Sequence, residues 1–304
     1  MASLHCEERL EGTIDSPVYL GSVTNSEIDR VLINDARVLE NMLNDEKEVV
    51  KEDYCKTMQS SIAPHMRKIV TDWMLEVCED QNCQPEVFFL SVNYLDRFLS
   101  KVNISKHQFQ LVASTCLLLA SKFSQVLPLT TEQLVIYTDN SITTEELRLW
   151  EMHVLNTLQW ELSSVTTHSF LEHFIPRLDW KSKTNADRVE RYAESIAAMA
   201  ATEYQFMLTN HSMIAAAALS AAVMEDTEDV ADVENMVKKL AKKINSNTNE
   251  IGFYIHHLQQ MLKKFSSSSC PEKSLPTFSS LPNCCQSYEG IHAEKIDNLL
   301  IRTS

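Results

Sequence analysis

Leu111–Phe123 reads Leu-Val-Ala-Ser-Thr-Cys-Leu-Leu-Leu-Ala-Ser-Lys-Phe. Wound as a helix it has no polar stripe, and a helix that is apolar on all sides is a buried one. Its polar members Ser114, Thr115 and Ser121 can return a hydroxyl hydrogen to a carbonyl one turn earlier, so burial suits them. Lys122 stands at the C-terminal end, where the helix dipole favours a cation. The stretch is much shorter than the roughly 20 residues a bilayer crossing needs. It is expected to be the central helix of a helical bundle, with Lys122 emerging at the surface.

A second stretch of this kind, Met213–Met224, is small and apolar all round and follows about a hundred residues later. Each buried helix needs its own shell of helices, so the pair predicts one bundle made twice, a repeat of pattern and not of letters.

Composition narrows the class. The chain has only 4 glycines in 304 residues, none between Gly21 and Gly252. Glycine-rich phosphate loops, dinucleotide fingerprints and nucleophile elbows need backbone positions that glycine serves, so none is expected in the core. Tight hairpins are equally disfavoured, which leaves an all-α fold. A formal charge of −15 argues against direct nucleic-acid contact. Lys238, Lys239, Lys242 and Lys243 have the spacing of a solvated helix face. The eight cysteines form no Cys-x-x-Cys pair and the N-terminus shows no apolar signal region, so free thiols and a location in nucleus and cytoplasm are expected, with no membrane span.

Along the chain, residues 1–24 lack helical periodicity and read as a flexible arm. A helix is expected within 25–53, from Ile28, Val31, Leu32, Leu39, Met42 and Leu43, packed on the outside of a domain. Pro64 opens a stripe of Met66, Ile69, Val70, Trp73, Met74 and Val77, and Pro85 opens the next helix. The central helix, a short helix near 131–138 and a longer one from about Thr144 complete a first bundle over 54–162. The second, over 163–265, begins with Phe170, Leu171 and Phe174 and ends with Ile251–Phe265. Residues 266–304, rich in serine and proline, read as a disordered tail whose end, Ile296–Ile301, has the makings of a short helix on binding.

No catalytic or metal-binding constellation stands out, and no cofactor is expected. His168 and His173 are five apart, a poor fit to one helix face, and no nucleophile has an activating neighbour. In the arm, Leu4, Cys6 and Glu8 form Leu-x-Cys-x-Glu. In an extended segment these positions share one face and can enter one groove together, although chance also supplies such triplets.

Met66–Cys78 resembles the opening helix of the cyclin box. Asn93-Tyr-Leu-Asp-Arg-Phe-Leu99, Ala120-Ser-Lys122 and Leu134–Ile142 continue the likeness in order. The string Tyr137-Thr-Asp-Asn-Ser-Ile142, together with Leu4-x-Cys6-x-Glu8, is similar to the D-type cyclins. The likeness is collinear over roughly 54–176 and fades to general pattern beyond. It implies two tandem five-helix bundles and a non-catalytic subunit that activates a cyclin-dependent kinase. It also implies that Leu4, Cys6 and Glu8 bind a retinoblastoma-type pocket protein, and that Lys122 and Glu151 hold the kinase. The face Met66, Ile69, Val70 and Trp73 then corresponds to a docking patch for Arg-x-Leu segments of substrates and kinase-inhibitor proteins. Periodicity by itself assigns those four to the core. Gln125 departs from the acidic residue usual after the lysine, and the tail lacks the family's Thr-Pro site, since Pro276-Thr277 is reversed. The competing reading, a cyclin-box module of the transcription machinery, calls for a basic chain.

Overall fold

The computed structural model describes residues 35–46, 52–178, 183–226 and 230–268. Within them the chain is helical, with no strand. A first helix, α1, spans Ala36–Asp45, and a single turn, α2, spans Tyr54–Thr57. Five helices follow: α3 (Pro64–Asp80), α4 (Pro85–Leu99), α5 (Lys106–Ser124), α6 (Thr131–Tyr137) and α7 (Thr144–Thr157). Five more repeat the plan: α8 (Thr167–Phe174), α9 (Lys183–Thr202), α10 (His211–Asp226), α11 (Val230–Lys243) and α12 (Thr248–Ser268).

Helix starts follow from local chemistry. Pro64 and Pro85 occupy first-turn positions of α3 and α4, where a missing N–H costs nothing. Ser105, Thr130, Thr143 and Thr166 cap α5 to α8, each in a reciprocal box with the residue three places on. Helix ends need the left-handed backbone that glycine usually supplies. Here asparagine and aspartate do it, at Asn82, Asp139, Asn140 and Asn245, and Gln159 and Trp160 adopt it without that chemistry.

The two all-round apolar stretches lie where expected. Helix α5 packs against α3, α4, α6 and α7, and α10 against α8, α9, α11 and α12, so each third helix is the axle of its bundle. The buried hydroxyls return to the backbone: Ser114 Oγ donates to Gln110 O at 2.8 Å, Thr115 Oγ1 to Leu111 O at 2.7 Å, and Ser220 Oγ to Ala216 O at 2.7 Å. Alanines dominate the buried surface of α10 and leucines that of α5.

The bundles meet where α3 and α4 pack on α9, and α4 on α8. Arg67 is 1% exposed at this joint. Its Nε and Nη2 donate to Asp96 Oδ1 and Oδ2 at 2.9 and 2.7 Å, and its Nη1 reaches the carbonyls of Ala201 and Thr202 at 3.1 and 3.2 Å. One guanidinium thus satisfies a buried carboxylate of the first bundle and the orphan carbonyls at the end of α9. Tyr54 Oη donates to the same carboxylate at 2.7 Å.

The outer helix has a definite partner, and one boundary moves. Helix α1 is tied to the second bundle: Glu46, just past its end, accepts from Ser212 N and Oγ at 2.6 and 2.7 Å, capping α10. Its side chains Leu39, Met42 and Leu43 lie half-buried against the core. Helix α12 also runs on to Ser268, through three residues assigned to the tail. Residues 25–34 and 269–304 lie outside the described residues.

Candidate functional site

The end of α5 is built to present a side chain. Ser121, fully buried, donates to Leu118 O at 2.9 Å and accepts from Leu129 N at 3.1 Å, so the following loop folds back over the helix end. The next residue, Lys122, therefore leaves the core at a fixed point. Its Nζ lies 2.6 Å from Oε1 of Glu151, on α7, with side-chain exposures of 44% and 16%. The two residues sit 29 apart in sequence, and only the packing of α5 on α7 makes them partners.

The same helices and the loop between them expose large apolar side chains. Phe123, Val126, Leu127, Ile136, Leu149 and Met152 are all exposed, by 49–76%. They come from the end of α5, the loop after it, α6 and α7. So many exposed large apolar side chains within one stretch of three helices mark an interaction surface. Sequence periodicity missed them. Leu149 and Met152 lie on the face of α7 turned away from Leu147, Val154 and Leu155, and a helical wheel of α7 would have exposed them, whereas Glu151, four residues from Leu147 and from Leu155, stands at the edge of the inner face.

The loop after α5 also touches the end of α3. Gln81, at the C-cap of α3, donates from Nε2 to Tyr137 Oη at 2.6 Å and accepts from Gln133 Nε2 at 2.7 Å, fastening α6. Tyr137 in turn donates to Asp80. Cys83 is buried beside Gln125 and Cys78, and its thiol is lowered by the hydrogen bond from Cys78. The four cysteines of the described residues, Cys55, Cys78, Cys83 and Cys116, are free thiols.

The face Met66, Ile69, Val70 and Trp73 is not an open patch. Met66, Val70 and Trp73 are 2%, 0% and 3% exposed, and only Ile69 is half-buried. The burial of these three follows from the stripe's three- and four-residue spacing, and Ile69 is the member of the four that reaches the surface. Trp73 keeps its indole N–H buried without a partner. Leu4, Cys6 and Glu8 lie outside the described residues.

A second cluster of titratable groups lies at the joint between bundles. His168, on α8, has Nε2 3.5 Å from Glu172 and Nδ1 3.4 Å from Glu194. Burial opposes its charge, but Glu172, Glu194 and Glu86 outweigh that and raise its pKa. Burial pushes Glu86 and Glu194 up to about 7 each. Glu86, on α4, accepts from Oγ1 of Thr166, the cap of α8, at 2.8 Å. Among the described residues no group of three His, Cys, Asp or Glu side chains is arranged to hold a metal ion, and no helix is long and apolar enough to cross a membrane.

A family model described as the cyclin N-terminal domain matches residues 37–163, and one described as the cyclin C-terminal domain matches residues 165–275. The chain is 46% identical to G1/S-specific cyclin-D1 of Xenopus laevis over 203 residues, covering 66% of this chain and 69% of the relative. It is 41% identical to G1/S-specific cyclin-D2 of Mus musculus over 219 residues, covering 70% of this chain and 75% of the relative. Among solved structures, a viral cyclin from herpesvirus saimiri superposes with a TM-score of 0.66 at 23% identity, over 75% of this chain and 97% of that one. At that identity the likeness concerns the fold.

Proposed function

The chain belongs to the cyclin family as a D-type member, a non-catalytic regulatory subunit of a cyclin-dependent kinase, and from that premise we propose how it acts and on what. The surface made by the ends of α5 and α7, with Lys122 and Glu151 at its centre, receives the kinase helix that carries the αC glutamate. Apolar contacts from Phe123, Leu127, Leu149 and Met152 supply the association, and the ion pair supplies its register. Seating αC lets its glutamate pair with the ATP-binding lysine, so the cyclin stabilises the active member of an existing equilibrium. All phosphoryl-transfer chemistry stays with the kinase.

The observation that carries this reading is the Lys122–Glu151 pair, its lysine 44% exposed, on helices that also expose large apolar side chains. The partial exposure of the lysine keeps the pair's contribution to the fold modest, about 1 kcal/mol, so Lys122 can be re-aimed at a partner at small cost. At the other end of the chain, Leu4, Cys6 and Glu8 dock in a groove of a retinoblastoma-type pocket protein and bring it to the kinase, in nucleus and cytoplasm, at entry into the cell cycle. Kinase-inhibitor proteins are further partners of the assembled complex.

The test is a kinase reconstitution with the full chain. The parent should bind a D-type partner kinase and direct it to a pocket-protein substrate. Replacing Leu4, Cys6 and Glu8 together by alanine should slow that substrate and leave a short peptide substrate unaffected. Equal rates on both substrates would remove the motif from the mechanism, and failure of the parent to activate any such kinase would remove the reading itself.

A further inference from the structure

Gly252 stands in the interior of α12, five residues into the helix. Glycine weakens a helix interior relative to alanine, so some other requirement normally holds it there. No steric one is visible, since a Cβ added at Gly252 would meet nothing within 4 Å. The residue lines a groove of about 590 Å³ between the end of α10, α11 and α12. Met224, Val233, Val237 and Ile255 form apolar walls, and Glu234 and Lys238, 3.5 Å apart, stand at the rim. The missing side chain leaves the groove open, in the size range of sites that seat a ligand or a peptide.

We propose that this groove is the seat of the chain's own C-terminal segment, Ile291–Ile301, docked as a short amphipathic helix. In that segment Ala293, Ile296 and Leu300 recur at i, i+3 and i+7, with Leu299 beside them, the anchor spacing of a helix laid in a groove. The rest of the segment's surface carries charge, Glu294, Lys295 and Asp297, which complements the mixed rim of Glu234 and Lys238. The connection is long enough. Gly252 lies about 24 Å back along α12 from Ser268 at 1.5 Å per residue. Residues 269–290 span up to roughly 70 Å when extended. A helix this short is marginal alone, and attachment to the same chain raises its effective concentration at the groove.

Hydrogen exchange of the full chain, read by mass spectrometry, tests this. Amides of 291–301 should exchange at least tenfold more slowly than in a free peptide of residues 286–304. That protection should be the same at nanomolar and micromolar protein. Two variants should each abolish it: Gly252→Trp, which fills the groove, and Leu299→Asp with Leu300→Asp, which removes two apolar anchors of the segment. Gly252→Trp should keep the parental helical circular dichroism. If that variant unfolds, Gly252→Leu takes its place, and the tail variant decides independently whether the segment's apolar face is used. Peptide-like exchange in the parent would overturn the proposal. So would protection that survives a filled groove, which puts the segment elsewhere, or protection that appears only at high concentration, which makes a second copy the source.

Discussion

Reversing one charge, Lys122→Glu, separates binding from folding. In the free protein the change removes an ion pair whose lysine is 44% exposed and sets two carboxylates at the same place. The lost pair is worth about 0.2–1 kcal/mol at such exposure. The new repulsion is relieved when the exposed side chain swings into water, so the whole cost to the fold should be about 1 kcal/mol. For a bundle of this size that is a fall of about 2–4 °C in melting temperature. In the complex the same position is desolvated, and truncating one member of a buried charged contact costs about 2–5 kcal/mol. At 1.4 kcal/mol per tenfold, kinase affinity should fall roughly thirtyfold or more. Calorimetry on the purified pair reads the affinity, and a thermal melt reads the fold. The double variant Lys122→Glu with Glu151→Lys restores the intramolecular pair with its polarity reversed, so it should recover the melting temperature and not the affinity. A single variant that activates the kinase at parental concentrations would refute the interface. One that unfolds would return Lys122 to a purely structural role.

Arg67→Ala should be far more damaging, by about 3–5 kcal/mol, because it strands the Asp96 carboxylate and the carbonyls at the end of α9 in the joint; denaturant unfolding measures it. Glu194→Gln should become more stabilising relative to the parent as pH rises. Its folded pKa of about 7 lies above the unfolded value, so the parent is favoured below about pH 4.5 and loses up to about 3 kcal/mol as pH climbs through 7, a trend that melts at pH 5 and 8 will show. Glu46→Ala should detach α1 from α10, cost about 1–2 kcal/mol through the lost cap, and speed amide exchange in 36–45. Leu118→Asp, inside the axle of the first bundle, should abolish the cooperative melt altogether.

The all-α class and the two axles were legible in Leu111–Phe123 and Met213–Met224, because a helix without a polar stripe has nowhere to go except the centre. First-turn prolines and the back-bonding hydroxyls were legible too, because each acts within four residues of itself. What pairs across the chain was not. Arg67 reads as a charge on a helix, and only the packing of α3 on α9 buries it against Asp96 and the carbonyls of residues 201 and 202. The burial of Met66, Val70 and Trp73 was legible in their spacing, whereas the partial exposure of Ile69 on the same stripe was not. Lys122 was singled out as a helix-end lysine and by resemblance. That it meets Glu151 at 2.6 Å depends on how α5 leans on α7, and sequence spacing says nothing about the angle between two helices.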